Sequence, residues 1–268
     1  FNYAHSGAAT TDILGTVNYR NPCGVVSQPV RSQVNDARAV LLANPSRAGA
    51  ANVAVADGGV NDTTWTGTAL RLIGRHYGGM VAGWFGAAPT WAVDNPVACT
   101  DYVLGNPAGN PTPGAPPGAI PPVWNGVAAS GGISGRVAAI ALNIMTADPG
   151  AQFRYLHYHK WIGDPNLPPV CSPVKNRAIG MINGWITFGV LVAKIVWFFM
   201  LNDPNRIQAV CERTFNPGPG SIQTRLVSFG EPNWAPIPGY PHPNAAGRNT
   251  LANCVNGTLP RAPGGGIA

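Results

Sequence analysis

The chain has 268 residues, a length that fits one large α/β domain or two small ones and allows a real core. Apolar residues make up 45% and charged residues only 10%, while Gly (34) and Pro (27) run at about twice their usual share without a strict period, so neither collagen nor a disordered chain fits. The balance of 17 Lys and Arg against 11 Asp and Glu gives +6, but the basic residues are scattered, with no basic run, and no nucleic-acid partner is expected.

In chain order, residues 33–43 read as a helix, with Val34, Ala37, Val40 and Leu41 at helical spacing. Residues 52–56 (NVAVA) read as a short buried strand that runs into Asp57-Gly58-Gly59. Residues 64–85 are mixed and helical in part, with aromatics at Trp65, Tyr77, Trp84 and Phe85. Residues 105–122 form a long Pro/Gly loop, read as an insertion within a single domain spanning 1–268, because the pattern on both sides stays α/β. A helix of small residues is predicted at 135–147, a strand at 153–159, an apolar helix at 175–201, a strand at 222–229 and a last helix at 244–255. Strands alternating with helices imply an α/β fold with a mostly parallel sheet covered on both faces.

The stretch from Ile179 to Leu201 carries one charge, Lys194, and is long enough to span a bilayer, which takes ~20 residues. Asn176, Asn183, Thr187 and Lys194 nevertheless fall within a stripe roughly 40° wide. A narrow polar stripe on an apolar helix is the mark of a mostly buried helix in a soluble domain. Contact of 179–201 with a membrane surface or a partner is the second reading, and a true span the third.

Five cysteines, Cys23, Cys99, Cys171, Cys211 and Cys254, lie far apart without a Cys-x-x-Cys pair, so no structural zinc site is expected. In an oxidising compartment they form two disulfides with one thiol left over. His157 and His159 share a strand face and, with His76, offer three imidazoles, but no carboxylate or cysteine accompanies them, and exposed strand histidines are the plainer reading. The chain opens on Phe1 without a Met or a signal peptide, and reads as processed or partial.

Three segments carry the residue types of a catalytic site. Asn2 to Leu14 holds Ser6-Gly7-Ala8, where the Gly7 N–H can donate to an oxyanion. Gly58-Gly59-Val60-Asn61-Asp62 directly follows the strand at 52–56, at the end of a parallel strand where ligands collect, and the Asn61 amide can donate to developing negative charge. Pro241-His242-Pro243-Asn244-Ala245-Ala246-Gly247 sets a His on a loop before the last helix, where it can serve as general base. Singly, these read as a turn, a helix cap and a helix start.

In this order and spacing the three segments resemble the SGNH (GDSL-type) serine hydrolases. The resemblance runs from residue 1 to about 255. It implies a flavodoxin-like three-layer α/β/α sandwich, with Gly7 (backbone N–H) and Asn61 (side chain) as oxyanion donors and His242 as base. Two departures stand out. The family's Gly-Asp-Ser block lies on the first strand, upstream of the glycine block, and no Gly-Asp-Ser occurs in this chain. The first strand is therefore expected in a separate N-terminal segment that supplies the nucleophile serine. Ser6 and Ser134 are weaker substitutes, since Ser6 occupies the anion-binding block and Arg136 interrupts the elbow around Ser134. The position of the triad acid is Gly239, whose carbonyl is a candidate to orient His242 in a Ser–His dyad. The cysteines suit secreted members of the family, and Cys171 with Cys211, which flank the apolar helix and its continuation, is the favoured disulfide.

The reading is a secreted or cell-envelope ester hydrolase acting on an acylated lipid or glycan, with no cofactor and no metal. The alternative is a catalytically inactive envelope or assembly module on the same fold.

Overall fold

The computed structural model describes residues 10–15, 32–59, 62, 132–158, 172–201, 203–211, 245–261 and 265–267. Within them the order is α1 (Thr10–Leu14), α2 (Gln33–Ala43), β1 (Val53–Ala56), α3 (Gly132–Ala147), β2 (Gln152–Leu156), α4 (Ser172–Leu201), a 3-10 turn at Pro204–Arg206, β3 (Ile207–Val210) and α5 (Ala245–Gly257). The expected helix at 64–85, loop at 105–122 and strand at 222–229 lie outside the described residues.

The expected helix at 33–43 is α2. Ser32 starts it by accepting from the Asn35 N–H at 3.2 Å, and the same hydroxyl donates to Ile13 O at 3.1 Å, which fastens the cap to α1. The apolar side of α2 buries Val34 and Leu41. α3 begins three residues before the expected start, and Ile133, Val137, Ile140, Ala141 and Ile144 form one buried stripe along it. Arg38 holds the two helices together by donating to Asn143 O at 2.9 Å and Asn143 Oδ1 at 3.0 Å.

The strands form a parallel sheet in the order β1-β2-β3, which makes the fold α/β. Val53 lies opposite Gln152, and Phe153 opposite Ile207. β3 is absent from the sequence-based expectation, because four residues behind a 3-10 turn are too few to display a period. β2 is one strand turn shorter than the predicted 153–159 and is buried on both faces. Phe153 and Tyr155 join the core built with α1, α3 and α4, whereas Leu156 packs with Val210 and α5 on the opposite face. Asp148 pins the amino ends of β1 and β2. It accepts from Ser46 N at 3.0 Å, Ser46 Oγ at 2.6 Å, Asn52 Nδ2 at 2.8 Å and Gly150 N at 3.1 Å.

α4 turns Asn183 of its polar stripe inward, whereas Thr187 is exposed and Lys194 half-buried. Asn183 is buried at 1% exposure and Thr187 bonds His157, while Ile182, Ile186, Val190, Ala193 and Trp197 line the core beside them. Asn176 lies outside the described side chains. The outer face of the helix is apolar: Phe188, Leu191, Ile195 and Phe199 are all exposed, Phe199 at 81%. The expectation of a mostly buried helix therefore holds for one face only. Ile182–Met200 has the length and apolarity to cross a membrane, and 39% of that window is buried inside the protein.

The disulfide differs from the expected Cys171–Cys211 pairing. Cys211 is bonded to Cys254 on α5, with Cα atoms 6.0 Å apart. Position along the chain favoured Cys171, but α5 packs on β3 and brings Cys254 beside the end of that strand, in a small cluster with Val210 and Val255. Cys23, Cys99 and Cys171 lie outside the described residues.

β1 is less buried than its sequence implies, with Val55 50% exposed. Gln152 N–H donates to Asn52 O at 2.8 Å. With the strand period of two, the backbone groups of Ala54 and Ala56 also face β2, and those of Val53 and Val55 face away from it. Among the described residues no strand pairs with that outer edge.

Candidate functional site

The carboxyl end of the sheet gathers the anchored flanks of all three predicted segments. β1 leads into Asp57-Gly58-Gly59, a turn that requires glycine at 59 and packs Gly58 closely against α1. A Cβ on Gly58 would stand 2.6 Å from Ile13 Cδ1 of α1, and Gly59 has φ +119°, a conformation that L side chains rarely adopt. Tyr155 Oη, at the end of β2, donates to Gly58 O at 3.2 Å. Burial pushes the Tyr155 phenol well above its ordinary pKa, the charges of Asp57 and Asp62 add to this, and Arg136 opposes it, so Tyr155 acts as a neutral donor.

Asp62 is the hub of the region. Its Oδ2 accepts from the Thr10 backbone N–H at 2.8 Å, at the first residue of α1. Its Oδ1 accepts from the Thr10 hydroxyl and from Arg136 Nη2 at 3.0 Å, and Arg136 Nε donates to Thr10 Oγ1 at 2.6 Å. The Asp62 side chain is 3% exposed and that of Arg136 15%, so the ion pair is shielded from water. Three elements distant in sequence are thus tied at one point: the start of α1, the residue after Asn61, and the first turns of α3.

A second chain of contacts sets Asp57. Asn183 of α4 clamps the backbone of Tyr158, accepting its N–H at Oδ1 and donating to its C=O from Nδ2, both at 2.8 Å. The Tyr158 hydroxyl then bonds the Asp57 carboxylate. Protein crowded around Asp57 raises its pKa from 3.8 to about 6, with the Tyr158 bond opposing the rise, although one side of the residue still reaches solvent. Between those two values the folded protein binds more protons than the unfolded chain, so stability falls as pH rises through that window. Asp57→Asn is expected to flatten that slope and to raise the thermal midpoint more at pH 7 than at pH 4.5. Thermal melts of both proteins across this range check it, and an unchanged slope contradicts it.

α5 runs antiparallel to the strands. Cys254 meets Cys211 just past the carboxyl end of β3, whereas Thr258, one turn later, bonds Arg154, whose guanidinium also reaches Arg206 O at the amino end of β3. Ala245 at the other end of the helix therefore projects beyond the carboxyl end of the sheet, about 13 Å above Cys254. His242 precedes Ala245 by three residues in the sequence.

His242, Gly239, Gly7 and Asn61 lie outside the described residues, as do Ser6, His76 and His159. Ser134 is no nucleophile elbow: it sits inside α3, and its Oγ donates to Trp185 O at 2.9 Å. His157 is buried, not exposed as expected on a strand, because β2 ends before it and its Nε2 bonds Thr187 Oγ1 at 2.9 Å. Among the described residues no group of three His, Cys, Asp or Glu is arranged to hold a metal. Sequence reasoning passed over Thr10, Asp57, Tyr158 and Arg136. Arg136 drew attention only as an interruption, and no local pattern signals that it faces Asp62.

The chain matches no protein-family model, and no curated protein or solved structure is significantly similar to it.

Proposed function

We propose that the protein is an ester hydrolase of the SGNH type, built on a flavodoxin-like α/β/α sandwich, whose nucleophile serine comes from a segment upstream of Phe1. The Thr10–Asp62–Arg136 link carries this reading, because it fastens the segment just after Ser6-Gly7-Ala8 to the Asp of the Gly-x-Asn-Asp block. The bond between Thr10 and Asp62 ties down one residue from each segment, three residues from Gly7 and one from Asn61 in the sequence, which supports the two acting on one oxyanion. The upward direction of α5 favours the same end of the sheet for His242.

In this mechanism the serine Oγ attacks the acyl carbonyl carbon while His242 takes its proton. The N–H of Gly7 and the amide of Asn61 hold the oxyanion. As the tetrahedral intermediate collapses, the alkoxide leaves with the proton from His242. Water, deprotonated by His242, then hydrolyses the acyl-serine and restores the free hydroxyl. The carbonyl of Gly239 is the candidate acceptor for the other ring N–H. No cofactor or metal takes part. Phe188, Leu191, Ile195 and Phe199 on the outer face of α4 suit contact with a membrane surface and favour acylated lipid over acylated glycan as substrate. A secreted or envelope location agrees with the Cys211–Cys254 disulfide.

A fluorophosphonate probe tests the assignment on the protein isolated from its native source. Covalent labelling of one serine is expected, and His242→Ala is expected to slow it by about 10²–10⁴-fold. Complete absence of labelling favours the non-catalytic envelope module instead.

A further inference from the structure

Asp57 directly follows β1, at the end of the sheet where the ligands of parallel sheets collect. It lies near the Thr10–Asp62–Arg136 link, because the Tyr155 phenol feels the charges of both Asp57 and Asp62. The two carboxylates are held differently. Asp62 is taken up by Arg136 and Thr10, whereas among the described residues no Lys or Arg forms an ion pair with Asp57. The Asp57 carboxylate accepts from the Tyr158 hydroxyl, and Asn183 of α4 fixes the Tyr158 backbone in turn with two bonds of 2.8 Å. Support of this kind sets the direction of a carboxylate that still reaches solvent on one side. Folding disfavours the ionised form of Asp57, so at neutral pH the residue lowers stability. A carboxylate that weakens the fold and is nevertheless aimed by two other residues is placed for chemistry.

The proposed hydrolase lacks a carboxylate for its base. Gly239 occupies the expected position, and its carbonyl can accept a ring N–H but brings no charge to balance an imidazolium. α5 points its amino end beyond the carboxyl end of the sheet, and His242 precedes that end by three residues in the sequence. We infer that Asp57 is a positioning residue of this hydrolase, the carboxylate that faces the His242 imidazole, orients it and balances its charge. The assignment rests on the hydrolase reading and gives the role to a residue far from the position where the family pattern puts it. Asp57 stays ionised throughout: the serine proton moves to one ring nitrogen of His242 and from there to the leaving alkoxide. The other described titratable groups at this place are Tyr155, His157 and Tyr158 at the end of β2, Asp62, and Arg136 of α3. His157 bonds Thr187, and Arg136 pairs with Asp62.

Fluorophosphonate labelling of the native protein between pH 5 and pH 9 tests the assignment. The variant is Asp57→Asn, which keeps an acceptor oxygen for the Tyr158 hydroxyl and removes the charge. At pH 8 its labelling is expected to slow about 10²-fold or more. The midpoint of its acid limb is expected to move to lower pH by about one unit, because the imidazolium loses its counter-charge. Thermal melts are expected to show a variant at least as stable as the unaltered protein at pH 8, so that slower labelling is not a loss of fold. His242→Ala and the double variant Asp57→Asn/His242→Ala are expected to label at the same rate, because Asp57 acts only through His242. Labelling of Asp57→Asn at the unaltered rate and midpoint overturns the assignment and leaves the Gly239 carbonyl as the partner of the ring. A further loss in the double variant also overturns it, since Asp57 would then act on the fold or the substrate directly. Absence of labelling in the unaltered protein removes the hydrolase and the assignment together.

Discussion

Asp62→Ala is expected to cost roughly 3–5 kcal/mol of folding stability, the range for breaking a buried ion pair from one side. The loss has two sources. The Thr10 N–H at the start of α1 and the Thr10 hydroxyl lose their acceptor, and the Arg136 guanidinium is left in a shielded place without its carboxylate. Removing both partners is expected to be milder than the first substitution alone. In Asp62→Ala/Arg136→Met no buried charge is stranded, and a coupling of about 1–3 kcal/mol should appear in a double-mutant cycle. Urea denaturation of the four proteins measures this, and additive losses would mean that the link is not energetically real. Asp62→Asn keeps the acceptor oxygen for Thr10 and gives up the charge. Under the proposed function it should slow fluorophosphonate labelling in a protein that still folds, because the tie between the two oxyanion segments is loosened.

Arg154→Met is expected to cost about 3 kcal/mol or more. Arg154 is fully buried at the centre of the sheet, and its guanidinium donates to Thr258 Oγ1 at 3.0 Å, to Thr258 O and Arg206 O at 2.9 Å each, and to Gln152 Oε1 at 3.2 Å. Its partners are carbonyls, an amide and a hydroxyl, and burial lowers its pKa below the ordinary value. Taking the charge away recovers some desolvation cost, but each carbonyl left without its donor gives back about 1–3 kcal/mol. The balance is a net loss. Because Arg154 joins the residues after α5 to the strand edge while Cys211–Cys254 holds the middle of the helix, the two ties back each other up. Reduction of the disulfide should therefore destabilise Arg154→Met more than it destabilises the unaltered protein. Equal losses would show that the two contacts act independently.

How much of this was legible in the sequence depended on the range of the signal. α2 was read at its observed bounds because Val34, Ala37, Val40 and Leu41 repeat at helical spacing, a signal contained within a few residues. The strand at 52–56 was found, but its burial was overstated, since Val-Ala-Val-Ala reads as an interior strand whether or not a neighbour covers its edge. The polar stripe of α4 was read as the mark of a mostly buried helix, but the helix is buried on one face only. Asn183 points inward because the Tyr158 backbone, from another element, meets it there, and the exposed Thr187 bonds the His157 ring. The cysteine pairing went wrong for the same reason: proximity along the chain stood in for proximity in space.

By itself the sequence determined the alternation of strands and helices, the α/β class that follows, and the order of the three segments on which the hydrolase reading rests. Periodicity, caps and short motifs are interactions over a few residues, and they survive in a one-dimensional reading. The tertiary structure decided which polar groups meet. Thr10 and Asp62 are 52 residues apart, Arg136 and Asp62 are 74 apart, and Arg136 and Thr10 are 126 apart. No local preference brings such groups together. Packing of α1 and α3 at the carboxyl end of the sheet does so, because a buried carboxylate and guanidinium are stable only when each completes the hydrogen bonds of the other.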